Sequence, residues 1–283
     1  DKNKSTLYYE TVSRITKHPI YLDKNERIDF PIQFEQTGIS FQRFHHFHRI
    51  IKKYSEKFSD LKLNSDTTIL DYGAYQGAFL HACQRKWGVK TIAYDYNENG
   101  LRHAKNFLNI NSVVKSNDIC SDVFDEEINF CTALQVLEHL YNPLDFLKHV
   151  KNNVLKKKGY IYIEVPCALT SEFNNPVHLF MFTKESLKNL FEIAGYEIVH
   201  ISEENIYNYE QLTPFKRHVQ TMVHCLARAE GEEVVNKNFN IGRKTIKNLK
   251  KSHHKNSNKI FFIRVKKLIK EIIILLFYGF FIL

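Results

Sequence analysis

The apolar positions along the chain change period near residue 61. Before it, Phe41, Phe44, Phe47, Ile50, Ile51, Tyr54 and Phe58 recur at helical spacing and predict a helix over Ile39–Phe58. Its His45, His46 and His48 lack an acidic or thiol neighbour that would complete a metal set, so a solvated helix face is expected. Residues 18–35 alternate apolar positions around two prolines and read as short extended pieces or loop. From Leu61 onward, short apolar runs alternate with helical patterns. Strands are predicted over 67–73, 90–97, 112–118, 128–137, 159–166, 197–202 and 219–229. Helices are predicted over 75–87, 98–109, 143–156 and 183–196, with Pro143 in a first turn and Thr183 and Gly195 as caps. This alternation predicts an α/β fold: a doubly wound, Rossmann-like sheet of seven strands, mostly parallel. Three regions are expected. Residues 1–60 form an N-terminal extension with a helix, a candidate substrate lid; 61–230 form the Rossmann-like domain; 231–283 form a tail.

Composition changes the picture only at the tail. The 283 residues carry a formal net charge of +9. From Asn236 onward there are 12 Lys and Arg against one acid, Glu271, which leaves 28 basic and 30 acidic residues before it. The high isoelectric point therefore belongs to the tail, and the body has no basic excess with which to grip nucleic acid. Ile272–Leu283 is a 12-residue run without charge, shorter than the roughly 20 apolar residues of a spanning helix. Across residues 260–283, apolar Phe261, Val265, Leu268 and Ile272 fall near one helical face with basic residues elsewhere. That pattern predicts an interfacial helix on an anionic membrane surface; packing on the core or a partner chain, or an apolar segment that runs on further, are the alternatives. The five cysteines form no CxxC pair and no signal-peptide pattern opens the sequence. Reduced thiols and a cytoplasmic protein, peripheral on the inner face of a membrane, are expected.

The stretch TTILDYGAYQGAFLHA, Thr67 to Ala82, carries the chemistry. In an open α/β sheet, ligands bind at the carboxyl ends of strands, where the first strand turns into a helix. A dinucleotide pyrophosphate calls for G-x-G-x-x-G there. This chain has Asp71-x-Gly73-x-x-x-Gly77 instead. The carboxylate would repel a pyrophosphate and suits a cation or an ammonium-bearing ligand, through water or by holding the loop. The glycines admit close backbone approach. Asp95, at the end of the second strand, is placed for both hydroxyls of a ribose. Asn117 and Asp118, after the third, are placed for an adenine edge. A nucleoside with a positively charged, amino-acid-like arm fits all three, and S-adenosylmethionine has that description.

The ordered blocks ILDYGAYQGAFL, IAYDYN, SNDI, LQVLEHLYNPLDFLKHV, GYIYIEVPC and HLFMFTKESLKNLFEIAGYEIV resemble those of class I S-adenosylmethionine-dependent methyltransferases of the small-molecule type, over roughly residues 65–200. The resemblance implies a methionine-side loop at Asp71, Gly73 and Gly77. It implies a ribose contact at Asp95, an adenine contact at Asn117 and Asp118, and Leu134 and Gln135 flanking the sulfonium and the acceptor. Tyr75 stands where family members usually have a third glycine. The later blocks resemble bacterial enzymes of surface-sugar or natural-product pathways. The expected acceptor is therefore a small molecule, a sugar or lipid-linked saccharide, methylated on oxygen, with N-methylation next. A catalytically inactive binding subunit of a membrane-associated complex is the other alternative. No Asn/Asp-Pro-Pro-aromatic tetrapeptide follows the fourth strand, which disfavours nucleic-acid amines.

Methyl transfer needs alignment of acceptor, methyl and sulfur. An alcohol acceptor gains roughly 100- to 10,000-fold more from a general base. His178 and His139 are the candidates. Glu164 is an interior strand carboxylate that needs a partner. No cluster has convincing metal-ligand spacing, so no metal site is expected, although Glu138 and His139 leave a divalent ion open.

Overall fold

The computed structural model describes residues 30–116, 118–170, 177–206 and 221–232. Those other than 168–170 belong to one unit. The tail over 231–283 falls almost wholly outside the described residues, as do residues 1–29 and Asn117.

Seven strands form one sheet. They are β1 (Thr68–Tyr72), β2 (Lys90–Asp95), β3 (Ser112–Lys115), β4 (Ile128–Leu134), β5 (Leu155–Pro166), β6 (Glu197–Glu204) and β7 (Met222–Arg228). Their order is β3-β2-β1-β4-β5-β7-β6. The first five pair in parallel, and β7 runs antiparallel between β5 and β6. The central strands read as near-continuous apolar runs because both faces are covered; all five residues of β1 are buried. Helices α2 (Ala78–Trp87), α3 (Glu98–Phe107), α4 (Pro143–His149) and α5 (Lys184–Ile193) occupy the connections. Thr183 and Ser186 form a reciprocal capping box at the start of α5, and Gly195 follows its end at φ +77°. The chain leaves β1 toward β2 and β3, then crosses back to β4 on the other side. The carboxyl ends of β1 and β4 therefore flank the switch point, where such sheets open a crevice.

Helix α1 spans Phe30–Tyr54. It begins before the expected Ile39, within the stretch read as extended, because Pro31 falls in its first turn, where the missing N–H has no partner to lose. It stops before Phe58, and a 3₁₀ turn follows at Ser59–Leu61. Its apolar stripe is core: Phe47 is fully buried among the rings of Phe79, Trp87, Phe130 and Tyr162. Burying such a ring contributes about 1.5–3 kcal/mol. The solvated histidine face is corrected in one member. His45 is exposed, but His46 points inward and its Nδ1 lies 2.8 Å from the Tyr162 hydroxyl.

The helix expected over 143–156 is also shorter. It loosens into one π turn over Val150–Val154, and β5 starts at Leu155 rather than Gly159. Leu155 pairs with Ile128, and a register shift before Phe130 absorbs the extra residues, with Lys158 at φ +65°. All five cysteines are free thiols. No helix among the described residues is long and apolar enough to cross a membrane.

Candidate active site

The loop after β1 is built from backbone turned left-handed. Gly73 has φ +71°, and its amide donates to Tyr94 O at 2.8 Å, tying the loop to the end of β2. A Cβ on Gly73 would sit 2.7 Å from Val136 Cγ2, so the loops after β1 and β4 touch through the missing side chain. Gly77 is the N-cap of α2, with no side chain capping it, so Asp71 does not serve as that cap.

Tyr75, at the position of the usual third glycine, takes φ +51°. That region costs a non-glycine residue about 1–2 kcal/mol. Its amide donates to Asp95 Oδ2 at 2.8 Å, while Asn97 N donates to Oδ1 at 2.8 Å. Asp95 thus clamps the loop after β1 to the turn after β2. The Tyr96 amide also supports this carboxylate, which leaves acceptor capacity for a ligand hydroxyl. Gly100, unremarked in the sequence, is needed here: a Cβ on it would lie 2.9 Å from Tyr75 O. Asp118 is exposed after β3, its Oδ1 accepting from Cys120 N at 3.3 Å.

Asp71 is 3 % exposed and accepts from the Thr132 hydroxyl at 2.6 Å. Burial raises its carboxyl to about 7, against the Thr132 bond and the Arg43 charge. The folded state therefore holds a proton on Asp71 that the unfolded chain releases near pH 4. Stability contributed by that proton is present below about pH 4 and is lost as pH rises toward 7. In urea titrations, Asp71→Asn gains stability relative to the wild type between about pH 4 and pH 7, since the amide has no proton to lose. A pH-independent difference between the two would refute this. The comparison cancels the contributions of the other buried groups.

Past β4 the backbone turns sharply. Leu134 is buried, and Gln135 takes φ +60°. Gln135 N donates to Glu164 O at 2.7 Å, and its Nε2 lies 3.3 Å from Glu164 Oε1. Glu164 is fully buried, and the partner it needs comes from α1: Arg43 Nε lies 2.9 Å from Oε1. The His224 Nε2 is 4.0 Å from Oε2, and the His46 and His224 rings lie 4.0 Å apart. Burial holds both imidazoles below the usual range. Sequence reading missed Arg43, because nothing in a helical pattern says which polar residue faces a strand that comes 121 positions later.

A second group lies beside it. The 3₁₀ turn Leu137–His139 follows β4. The segment after residue 176 returns onto it: Leu179 N and Phe180 N donate to Glu138 O at 2.7 and 3.1 Å. His139 Nδ1 lies 2.8 Å from Val177 O, and the His139 and His178 rings are 4.9 Å apart. Burial pushes Glu138 up to about 8 and lowers His139; burial and the neighbouring His139 hold His178 near 4. Both imidazoles are therefore neutral near pH 7. Glu138, His139 and His178 offer ligand atoms within 4.8 Å of one another, a cluster invisible in the sequence because His178 follows a different strand. Tyr141, Leu179 and Phe180 form exposed apolar surface on the same segments.

Residues 42–201 match the model of a family described as a methyltransferase domain. A comparison with curated proteins finds no match. Among solved structures, a putative sarcosine dimethylglycine methyltransferase from Galdieria sulphuraria is similar at TM-score 0.52 and 14% identity, over 64% of this chain and 86% of that one. Geranyl diphosphate C-methyltransferase from Streptomyces coelicolor A3(2), solved with Mg²⁺, geranyl diphosphate and S-adenosyl-L-homocysteine, is similar at TM-score 0.50 and 10% identity, over 59% of this chain and 72% of that one. An S-adenosylmethionine-dependent methyltransferase from Aquifex aeolicus shows TM-score 0.47 and 20% identity, over 63% and 89%. At these identities the first two likenesses speak for the fold alone.

Proposed function

From the premise that the chain belongs to the methyltransferase-domain family, and so is an S-adenosylmethionine-dependent enzyme, we propose that it methylates a hydroxyl of a small, amphiphilic acceptor such as a lipid-linked sugar. When bound, S-adenosylmethionine supplies a methyl group on a sulfonium sulfur, which departs with the C–S electron pair. The residues present fit that cofactor. The bare Gly73 admits close approach, and Asp95 keeps acceptor capacity for a ribose hydroxyl beyond the three backbone amides it holds, while Asp71, protonated in the folded state below about pH 7, holds the end of β1 through Thr132. Leu134 ends β4, Gln135 follows it, and Asp118 lies on the loop after β3.

The observation that carries the hydroxyl acceptor is the pair of neutral imidazoles, His139 and His178, past the ends of β4 and β5. A neutral imidazole accepts the proton that the hydroxyl loses as its oxygen bonds to the methyl carbon. An amine acceptor would draw less benefit from two bases. The exposed Tyr141, Leu179 and Phe180 supply an apolar rim beside them, which favours an acceptor with an apolar part. The tail over 260–283, outside the described residues, would bring the enzyme to an anionic membrane surface where such an acceptor resides.

Calorimetric titration with S-adenosylmethionine and S-adenosylhomocysteine tests the cofactor site. Asp95→Ala is expected to weaken both about 10- to 100-fold, the worth of charge-assisted hydrogen bonds. Undiminished binding would remove Asp95 from the site. A well-folded wild type that binds neither ligand would favour an inactive binding subunit. With binding established, an acceptor screen on sugars against simple amines tests the hydroxyl assignment; turnover of amines alone would overturn it.

A further inference from the structure

Glu138 presents a physical problem. The residue is 1 % exposed, and among the described residues neither carboxylate oxygen has a hydrogen-bond partner. The His139 Nε2 lies 3.8 Å from Oε1, too far for a hydrogen bond. A buried carboxylate without donors costs several kcal/mol. Such a group in a folded protein calls for an explanation, and a missing ion is one of the few available.

The surroundings are those of a ligand set. The 2.8 Å contact between His139 Nδ1 and Val177 O places the ring proton on Nδ1, so Nε2 presents its lone pair toward Glu138. Backbone carbonyls orient metal-binding histidines in this way. The two amides on Glu138 O hold the His178 segment against the 3₁₀ turn, fixing the third member. All three ligand atoms lie within 4.8 Å of one another. Ligands around one divalent ion at about 2.0–2.2 Å stand roughly 3–3.5 Å apart, so modest side-chain rotation closes the set.

The geometry points to a divalent transition-metal site formed by Glu138, His139 and His178, with open coordination positions for the oxygens of the methyl acceptor. Two imidazoles and one carboxylate suit zinc, iron, cobalt or nickel, whereas magnesium and calcium take oxygen sets. Three protein ligands leave positions for water or substrate, the mark of a catalytic rather than a structural site. The role assigned to the ion rests on the hydroxyl-methylation reading above. The ion then replaces the bases of that reading: an acceptor oxygen held by it would lose its proton to solvent, with the two imidazoles serving as ligands.

The test uses the full chain stripped with chelator. Co²⁺ is titrated in, visible absorption bands are followed, and Zn²⁺ and Mg²⁺ are added as competitors. The wild type is expected to bind one Co²⁺ per chain, displaced by Zn²⁺ and not by excess Mg²⁺. Glu138→Gln and His178→Asn are each expected to weaken Co²⁺ by more than the ~10–100-fold that an outer-shell change costs. S-adenosylmethionine affinity is measured on all three proteins. A wild type that holds S-adenosylmethionine but no Co²⁺, or variants that hold Co²⁺ as well as it does, would overturn the site, as would ready displacement by Mg²⁺. A wild type that holds Co²⁺ but not S-adenosylmethionine would support the site and remove its part in methyl transfer. His178→Asn lies in a loop and keeps the test open if Glu138→Gln fails to fold.

Discussion

Arg43→Met is expected to lower the free energy of unfolding by about 3–5 kcal/mol, the range for breaking one partner of a buried ion pair. The guanidinium is the cation bonded to Glu164, whose side chain has no solvent exposure. Without it, a carboxylate remains in the core beside the Gln135 amide and the His224 ring. Arg49 supplies the contrast on the same helix. It reaches Glu204 at 2.6 Å, but its side chain is 65% exposed. Arg49→Met should cost no more than about 1 kcal/mol, since exposed pairs contribute little. Combining Arg43→Met with Glu164→Leu should recover much of the loss, because a matched apolar pair often replaces a buried ion pair at no cost. Urea denaturation of the four proteins checks this. Equal costs for Arg43→Met and Arg49→Met would mean that Glu164 does not depend on α1.

The second large effect concerns the loop after β1. Gly73→Ala is expected to cost about 2–4 kcal/mol, from left-handed backbone strain and from overpacking against Val136 Cγ2. Gly88 is the reference. It has φ +70° with nothing within 4 Å of an added Cβ, so Gly88→Ala should cost only the backbone share, about 1–2 kcal/mol. The difference between the two isolates the contact between the loops. Because Val136 follows Gln135, Gly73→Ala should also weaken S-adenosylmethionine binding about tenfold or more, while Gly88→Ala leaves it unchanged. Thermal melts and cofactor titration separate these outcomes. Equal stability losses in both variants would show that Val136 gives way freely.

The sheet was legible because its strands are buried on both faces and write themselves as apolar runs with turn residues between. The turn at Gly73 and Gly77 was legible from the glycines themselves, whereas Asp71 lies inside β1, buried against Thr132. What stayed hidden depends on contacts between distant positions. His46 lies off the apolar stripe and was expected on a solvated face; its burial is decided by Tyr162 and His224. Glu164 plainly needed a partner, yet only the packing of α1 supplies Arg43. The early start of β5 was masked by three successive lysines, Lys156 to Lys158, which fit a helix end as well as an edge of strand. Glu138 and His139 were adjacent in sequence, and the return of the His178 segment made them a cluster.

The place of β7 in the sheet also bears on how the protein is made. This strand is the last of the seven in the chain, yet it lies between β5 and β6, which precede it. Until it arrives, β5 has an open edge with unpaired backbone groups, and the His224 that packs against His46 is absent. Ribosomal synthesis therefore cannot deliver this sheet strand by strand. A nascent chain ending before Met222 holds a half-closed sheet, exposed to mispairing, and the final step is an insertion between two waiting neighbours. Such non-local closure therefore waits until β5, β6 and β7 are all available together.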